Sequence, residues 1–248
     1  MPREITKTQI DRLGDRLRKG NISDDDLRFL DLYRRSFSEA YDIVVGTIRK
    51  ELGLEPTGRP AKSTTSISDK LRRESIRLTQ IQDIAGCRLI VTDIANQESV
   101  VQSLQSLFEE STIVDRRKQP SHGYRAVHVI VECHGKMIEI QVRTSLQHLW
   151  AELSEKYSDI VDPAIKYGGG YESIQTLLKK ASNAVAAGEL AEVELAELSA
   201  HLSSKASLSD DAKQQIVDFH KDVSLVKQQI FKLLRGSIER LEKLKGEK

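Results

Sequence analysis

Ala126-Val127-His128-Val129-Ile130-Val131-Glu132-Cys133, then His134-Gly135, then Lys136-Met137-Ile138-Glu139-Ile140-Gln141-Val142-Arg143-Thr144 is the stretch that decides the fold. Two runs rich in Val and Ile flank a two-residue link, with Gly where a left-handed backbone is wanted, and this marks a β-hairpin. Side chains alternate across a strand, so pairing Cys133 with Lys136 sets the register. Val131 then faces Ile138, Val129 faces Ile140 and Val127 faces Val142, which gives one wholly apolar face. The opposite face sets Ile130 against Glu139, His128 against Gln141 and Ala126 against Arg143. A carboxylate on such a strand, beside a His and a Gln, is costly to bury without a metal or proton-transfer role.

Outward from the hairpin, Cys87 to Val91 reads as another strand, and Val100, Leu104, Leu107 and Phe108 mark one face of a helix. Ser66 to Glu74 reads as a short polar helix. The N-terminal zone is helical by period: Ile10, Leu13 and Leu17 share a face. After a cap at Ser23-Asp24, Leu27, Leu30, Tyr33, Phe37, Tyr41, Val44 and Ile48 continue at helical steps, and Gly53 and Pro56 close the zone. Downstream, Gly168-Gly169-Gly170 reads as a flexible break. Ile216, Phe219, Val223, Val226, Ile230 and Leu233 form a seam of coiled-coil type, a candidate for homo-oligomer contacts. The sequence therefore predicts an α+β protein, with N-terminal helices over 1–56, a mixed β-sheet core over 57–157 and a helical extension over 158–248.

Composition narrows the function. There are 38 Lys and Arg against 37 Asp and Glu, a formal charge of +1, so bulk charge marks no polyanion binder and a basic site must come from local segregation. Arg59 to Arg77 holds six basic residues against two acids, and Arg116 to His128 holds Arg116, Arg117, Lys118 and Arg125 with no acid. Cys87 and Cys133 lack metal-ligand spacing and read as reduced core thiols. No apolar run has the length of a membrane span and no signal peptide is visible, so a cytoplasmic, bacterial-type protein is expected.

Four clusters in the central zone share one chemical theme. In Gly58-Arg59-Pro60-Ala61-Lys62 and the following Ser66 to Arg73, the residues Lys62, Ser66, Lys70 and Arg73 recur at helical steps, as neutralising a triphosphate requires. Asp83-Ile84-Ala85-Gly86-Cys87-Arg88 places an acid before a strand, where it can hold a hard cation, and a guanidinium that can stack on a base. Gly123-Tyr124-Arg125-Ala126-Val127-His128 puts an aromatic among basic residues, which suits base stacking with phosphate contact. Glu139-Ile140-Gln141-Val142-Arg143-Thr144 is the polar strand face.

In this order, these motifs resemble the synthetase domain of the RelA/SpoT family, especially its small stand-alone alarmone synthetases, and Trp150-Ala151-Glu152-Leu153 resembles the helix that follows. The resemblance covers about 57–157. It implies a nucleotidyltransferase-like core and transfer of the ATP β,γ-pyrophosphate to a ribose 3′-hydroxyl, dependent on Mg2+. By position, Lys62, Ser66, Lys70 and Arg73 hold ATP phosphates, Arg59 and Arg88 sandwich adenine, and Asp83 and Glu139 bind magnesium. Glu139 also deprotonates the acceptor. Tyr124 stacks on the acceptor base, while Arg125, His128, Gln141 and Arg143 orient acceptor and phosphates, with His122 and Lys118 on the acceptor loop.

Two departures bear on this. The family's Gly-Arg-x-Lys is one residue longer here, which loosens the assignment of Arg59. Its Pro-Lys-x-Asn-Gly-Tyr reads Gln119-Pro120-Ser121-His122-Gly123-Tyr124, so His122 stands where an Asn is usual and the acceptor's identity stays open. GDP or GTP, giving (p)ppGpp, is the first expectation. Adenine nucleotides or the tRNA 3′ end, with a cognate antitoxin for a toxin-like member, are the second, motivated by Arg116-Arg117-Lys118. A catalytically inactive nucleotide- or RNA-binding module is the third, and retention of both Asp83 and Glu139 argues against it. The adjacent His-Asp pair of the family's hydrolase half is absent from the sequence, so product hydrolysis is not expected.

Overall fold

The computed structural model describes residues 6–59, 61–203 and 209–246, with the Arg59 side chain outside the description. Three helices come first: α1 (Lys7–Lys19), α2 (Asp24–Arg35) and α3 (Ser38–Leu52). Thr6 and Ser23 cap α1 and α2 through capping boxes, and Gly53 ends α3 in the left-handed region. The period from Leu27 to Ile48 reads as one helix, but the chain breaks at Ser36-Phe37, where the Ser36 hydroxyl bonds back to the Tyr33 carbonyl. Leu27 lies exposed, whereas Leu30, Tyr33, Phe37, Val44 and Ile48 are buried.

The central region alternates strand and helix: β1 (Thr57–Arg59), α4 (Thr64–Arg73), β2 (Ala85–Val91), α5 (Ile94–Leu107), β3 (Ser111–Asp115), β4 (Val127–Cys133) and β5 (Lys136–Thr144). The five strands form one mixed sheet in the order β1-β2-β5-β4-β3, so the fold is α+β. The link between β4 and β5 is a turn with His134 at φ 49° and Gly135 at φ 70°, both left-handed as a two-residue hairpin demands. Val127, Val129, Val131, Ile138, Ile140 and Val142 are all buried, which gives the wholly apolar face. The opposite face is not a solvated exterior either: Ala126, Ile130 and Arg143 are buried and the His128 and Glu139 side chains are only 14% and 13% exposed. Two short strands escape sequence pattern. β1 pairs antiparallel with β2 through Gly58 opposite Cys87, and β3 is too short for a period to register.

α6 (Ser145–Ile160), α7 (Glu172–Ser203) and α8 (Asp210–Gly246) follow. Gly168-Gly169-Gly170 takes the form of a hydrogen-bonded turn: Gly168 and Gly170 have left-handed φ values of 83° and 75°, and the Gln175 amide donates to the carbonyls of Ile165 and Gly169. The α8 seam differs from its period. Val223, Leu234, Ile238 and Leu241 are the buried row, with Ile230 and Phe231 packed beside it, whereas Phe219, Val226 and Leu233 are exposed. Steps averaging 3.5 residues drift across a straight helix, so the packed stripe follows 3.6 instead.

The chain divides into two compact units, each assembled from separate segments. The first holds residues 1–89, 100–114 and 128–142, with Leu13, Leu17, Ile48, Ile67, Leu71, Ile84, Leu89, Ile138 and Ile140 in its core. The second holds 90–99, 115–127 and 143–248, built around Leu146, Trp150, Leu153, Leu178, Val185 and Leu234.

Candidate active site

Within the first unit, two carboxylates are each fixed by named partners. Asp83 lies before β2 and receives the Lys62 ammonium at 2.5 Å on Oδ2 and the Lys70 ammonium at 3.0 Å on Oδ1. Lys62 is placed by its own backbone, whose N–H donates to the Ile84 carbonyl at 2.6 Å. Lys70 projects from α4, which starts where the Ser63 hydroxyl caps the Ser66 N–H at 3.2 Å. Burial pushes the Asp83 carboxyl up, but the two ammonium charges outweigh it and hold the group below the usual carboxylate range.

Glu139 sits mid-way along β5. His128 Nδ1 lies 2.8 Å from its Oε1, and the Gln141 amide donates to Oε2 at 2.7 Å. His128 and Glu139 are therefore diagonal neighbours on the polar face of the hairpin. Burial drives the Glu139 carboxyl up, and the Asp83 charge adds to it. The His128 bond and charge, together with the Gln141 bond, still leave it below its ordinary value. Each acid is thus an ionised, half-covered oxygen donor. Gly86 fits β2 against β5 at this point: a Cβ on it would meet the Glu139 carbonyl oxygen at 2.6 Å.

Among the described residues no group of three His, Cys, Asp or Glu side chains is arranged to hold a metal. Two hard carboxylates suit magnesium, which takes one or two protein oxygens and completes its octahedron from substrate phosphates and water. Of the other first-unit candidates, Ser66 accepts from the Ser63 hydroxyl at 2.8 Å, and Arg73 pairs with Glu74 at 3.3 Å. Arg88 is half-buried on β2, opposite Thr57. The expectation for Arg59 falls on a side chain outside the described residues.

The second unit carries the remaining candidates. Ser121 to Tyr124 is a tight turn, with His122 at φ 52°, Gly123 at φ 91° and the Tyr124 N–H bonded to the Ser121 carbonyl. His, like Asn, tolerates the left-handed region better than most residues, so His122 keeps the backbone an Asn-Gly turn would give. Gly123 is obligatory, because a Cβ there would lie 2.7 Å from the Trp150 ring. The Arg143 guanidinium lies 4.9 Å from the Tyr124 ring centroid and donates to its hydroxyl at 2.9 Å. Arg125 donates to the Ser182 hydroxyl at 3.1 Å and to the Arg117 carbonyl at 2.9 Å. Lys118 is exposed.

The expected cationic track of Arg116, Arg117 and Lys118 is shorter than its sequence. Arg117 is bound to Asp115 and Glu98, each at 2.7 Å, and to the Gln97 side chain, so its charge is spent internally. Sequence reasoning also passed over a buried network. Glu189 of α7 accepts from the Thr144 hydroxyl and from the Gln147 amide, and Gln147 pairs with Gln97 at 2.9 Å. Burial raises the Glu189 carboxyl despite those bonds. Its signal was a lone acid in the helical stripe Leu178, Ser182, Val185, Glu189, hidden inside an Ala- and Glu-rich run.

Residues 58–160 match the model of a region found in RelA / SpoT proteins. The central part of this chain is thus similar to the region shared by RelA / SpoT proteins. An uncharacterized protein of Mycobacterium tuberculosis is 32% identical to this chain over 133 residues, 52% of this chain and 49% of that protein. A guanosine-3′,5′-bis(diphosphate) 3′-pyrophosphohydrolase of Aquifex aeolicus is 33% identical over 117 residues, 44% of this chain and 17% of that enzyme. The chain thus spans about half the length, or less, of these relatives. The crystal structure of small alarmone synthetase 1 from Bacillus subtilis, bound to its product pppGpp, shares the fold. It is 24% identical, with a TM-score of 0.51, covering 73% of this chain and all of that one. The matched region holds every motif quoted for the resemblance, and no helix among the described residues is long and apolar enough to cross a membrane.

Proposed function

We propose that this chain is an ATP:nucleotide 3′-pyrophosphotransferase that moves the β,γ-pyrophosphate of ATP to the ribose 3′-hydroxyl of GDP or GTP and releases AMP. The observation that supports it most is the pair of half-covered, ionised carboxylates, one clamped by two lysines and the other by a His and a Gln, within the region similar to RelA / SpoT proteins.

The reaction separates into tasks that single residues can perform. Lys62, Lys70 and Arg73, with Ser66 in the first turn of α4, cancel phosphate charge, and the positive end of the α4 dipole adds to them. Asp83 and Glu139 would hold Mg2+, which when bound draws negative charge off the transferred group. Glu139 accepts the proton of the 3′-hydroxyl as its oxygen attacks the β-phosphorus, and the bond from that phosphorus to the AMP oxygen breaks. A carboxylate held ionised is ready for this at neutral pH. His128 and Gln141 position Glu139. Arg59 and Arg88 hold adenine, Tyr124 stacks on the acceptor base, and Arg125, Arg143, His122 and Lys118 receive the rest of the acceptor. Occupation of Arg117 by Asp115 and Glu98 favours a free nucleotide over an extended nucleic acid.

Incubation with γ-labelled ATP and magnesium, offering GDP, GTP, ATP or deacylated tRNA in parallel, tests the reading. Label on GDP or GTP is expected, with Glu139→Gln reducing transfer by about a thousandfold while ATP still binds. Label on tRNA alone would redirect the reading to the nucleic-acid acceptor, and no transfer to any of them would leave a binding module.

A further inference from the structure

The turn at His122-Gly123 and α7 enclose a cleft of about 470 Å³ in the second unit, within the usual range for a small-molecule site. Its walls include His122, Arg125, Thr176, Lys179 and Asn183, and no Asp or Glu lines it. Thr176, Lys179 and Asn183 fall at helical steps on one face of α7.

All of these donors but Arg125 are uncommitted. Among the described residues, the side chains of His122, Thr176, Lys179 and Asn183 make no hydrogen bond or ion pair, and Arg125 uses only Nε and Nη1, leaving Nη2. The frame around them is firmly tied. Buried Ser182 accepts from Arg125 and donates to the Gly123 carbonyl at 2.6 Å, which couples turn to helix. Gln175 is bonded to the carbonyls of Ile165 and Gly169. The His122 ring lies directly over Gly168, where a Cβ would come within 2.1 Å of Nδ1.

A concavity walled by two basic side chains, an imidazole, an amide and a hydroxyl, with no carboxylate on its walls, matches a phosphate ester: many acceptor oxygens, negative charge and little apolar surface. We infer that this cleft extends the proposed acceptor site, taking the phosphate chain of a nucleotide through Lys179, Arg125 and Asn183, and the inference rests on the placing of His122 and Arg125 at that site. Lys179, Thr176 and Asn183 lie outside the RelA/SpoT region, so selection of the phosphorylated ligand is a contribution of the C-terminal helices.

The inference does not depend on transfer chemistry, and the test omits it. Isothermal titration of the full chain in EDTA without ATP uses three probes: inorganic pyrophosphate, GDP and the ribotrinucleotide CpCpA. Lys179→Glu should weaken binding of pyrophosphate and GDP at least tenfold, whereas Lys179→Arg retains it and Lys243→Glu, the same charge change on α8, leaves it intact. Loss confined to CpCpA would support the same site with a nucleic-acid backbone as ligand. Failure of the wild-type chain to bind any probe, or equal affinity in Lys179→Glu and wild type for all three, overturns the proposal. Loss of transfer with binding intact bears only on the proposed reaction.

Discussion

Asp83 and Glu139 are both half-buried acids held ionised, yet their neighbours differ in kind. Asp83 is opposed by two full charges on flexible stems, Lys62 and Lys70, which can leave for another anion. Glu139 is opposed by His128 and Gln141, one imidazole and one amide projecting from the paired strands β4 and β5. In the proposed reaction the contrast separates an acid whose partners can be surrendered to a ligand from one held on the sheet to act on the acceptor hydroxyl.

Substituting both lysines attacks the exchangeable side and carries the largest expected effect. Lys62→Met with Lys70→Met leaves an uncompensated carboxylate and should cost about 3–5 kcal/mol, read by urea denaturation at pH 7. The sign with pH is checkable too. A carboxyl whose folded pKa is depressed adds stability that is present above its unfolded value and is lost as pH falls through the folded one. The wild-type chain should therefore lose the Asp83 contribution on acidification below about pH 4. The double variant should lack that loss, and an unchanged acid profile would show that the lysines do not hold Asp83.

Next comes the contact that joins the two halves of the comparison. Gly86→Ala drives a methyl into the Glu139 carbonyl oxygen and should cost about 1–3 kcal/mol while reducing transfer, because the two strands must separate. His128→Ala is the middle case. It removes the main downward influence on Glu139, so the acid limb of the transfer rate should move to higher pH, while ATP affinity changes little. The smallest effect belongs to Gln141→Leu, about 1 kcal/mol in stability with the acid limb moved in the same direction but less than for His128→Ala.

Much of this was legible because alternation and helical period act locally. The hairpin from Val127 to Thr144 follows from its Val and Ile pattern, and Glu139 stands out as an acid on a strand face that should not carry one. β1 was not legible: three residues, one of them Gly58, show no period and exist as a strand only because Cys87 is there to pair. The neutralisation of Arg117 was half visible, since Asp115 lies two residues away but Glu98 lies on a distant stretch of chain. The α8 seam misled because two adjacent apolar rows satisfy nearly the same spacing, and only packing chooses between them.

The lysine clamp on Asp83 has a consequence for order of arrival. In the proposed reaction the unliganded protein is self-quenched: a solitary divalent ion would meet a carboxylate whose charge is already cancelled, and a solitary triphosphate would first have to pull two ammonium groups away. A metal–nucleotide complex relieves both obstacles in one exchange of partners, so the two should enter together rather than in sequence.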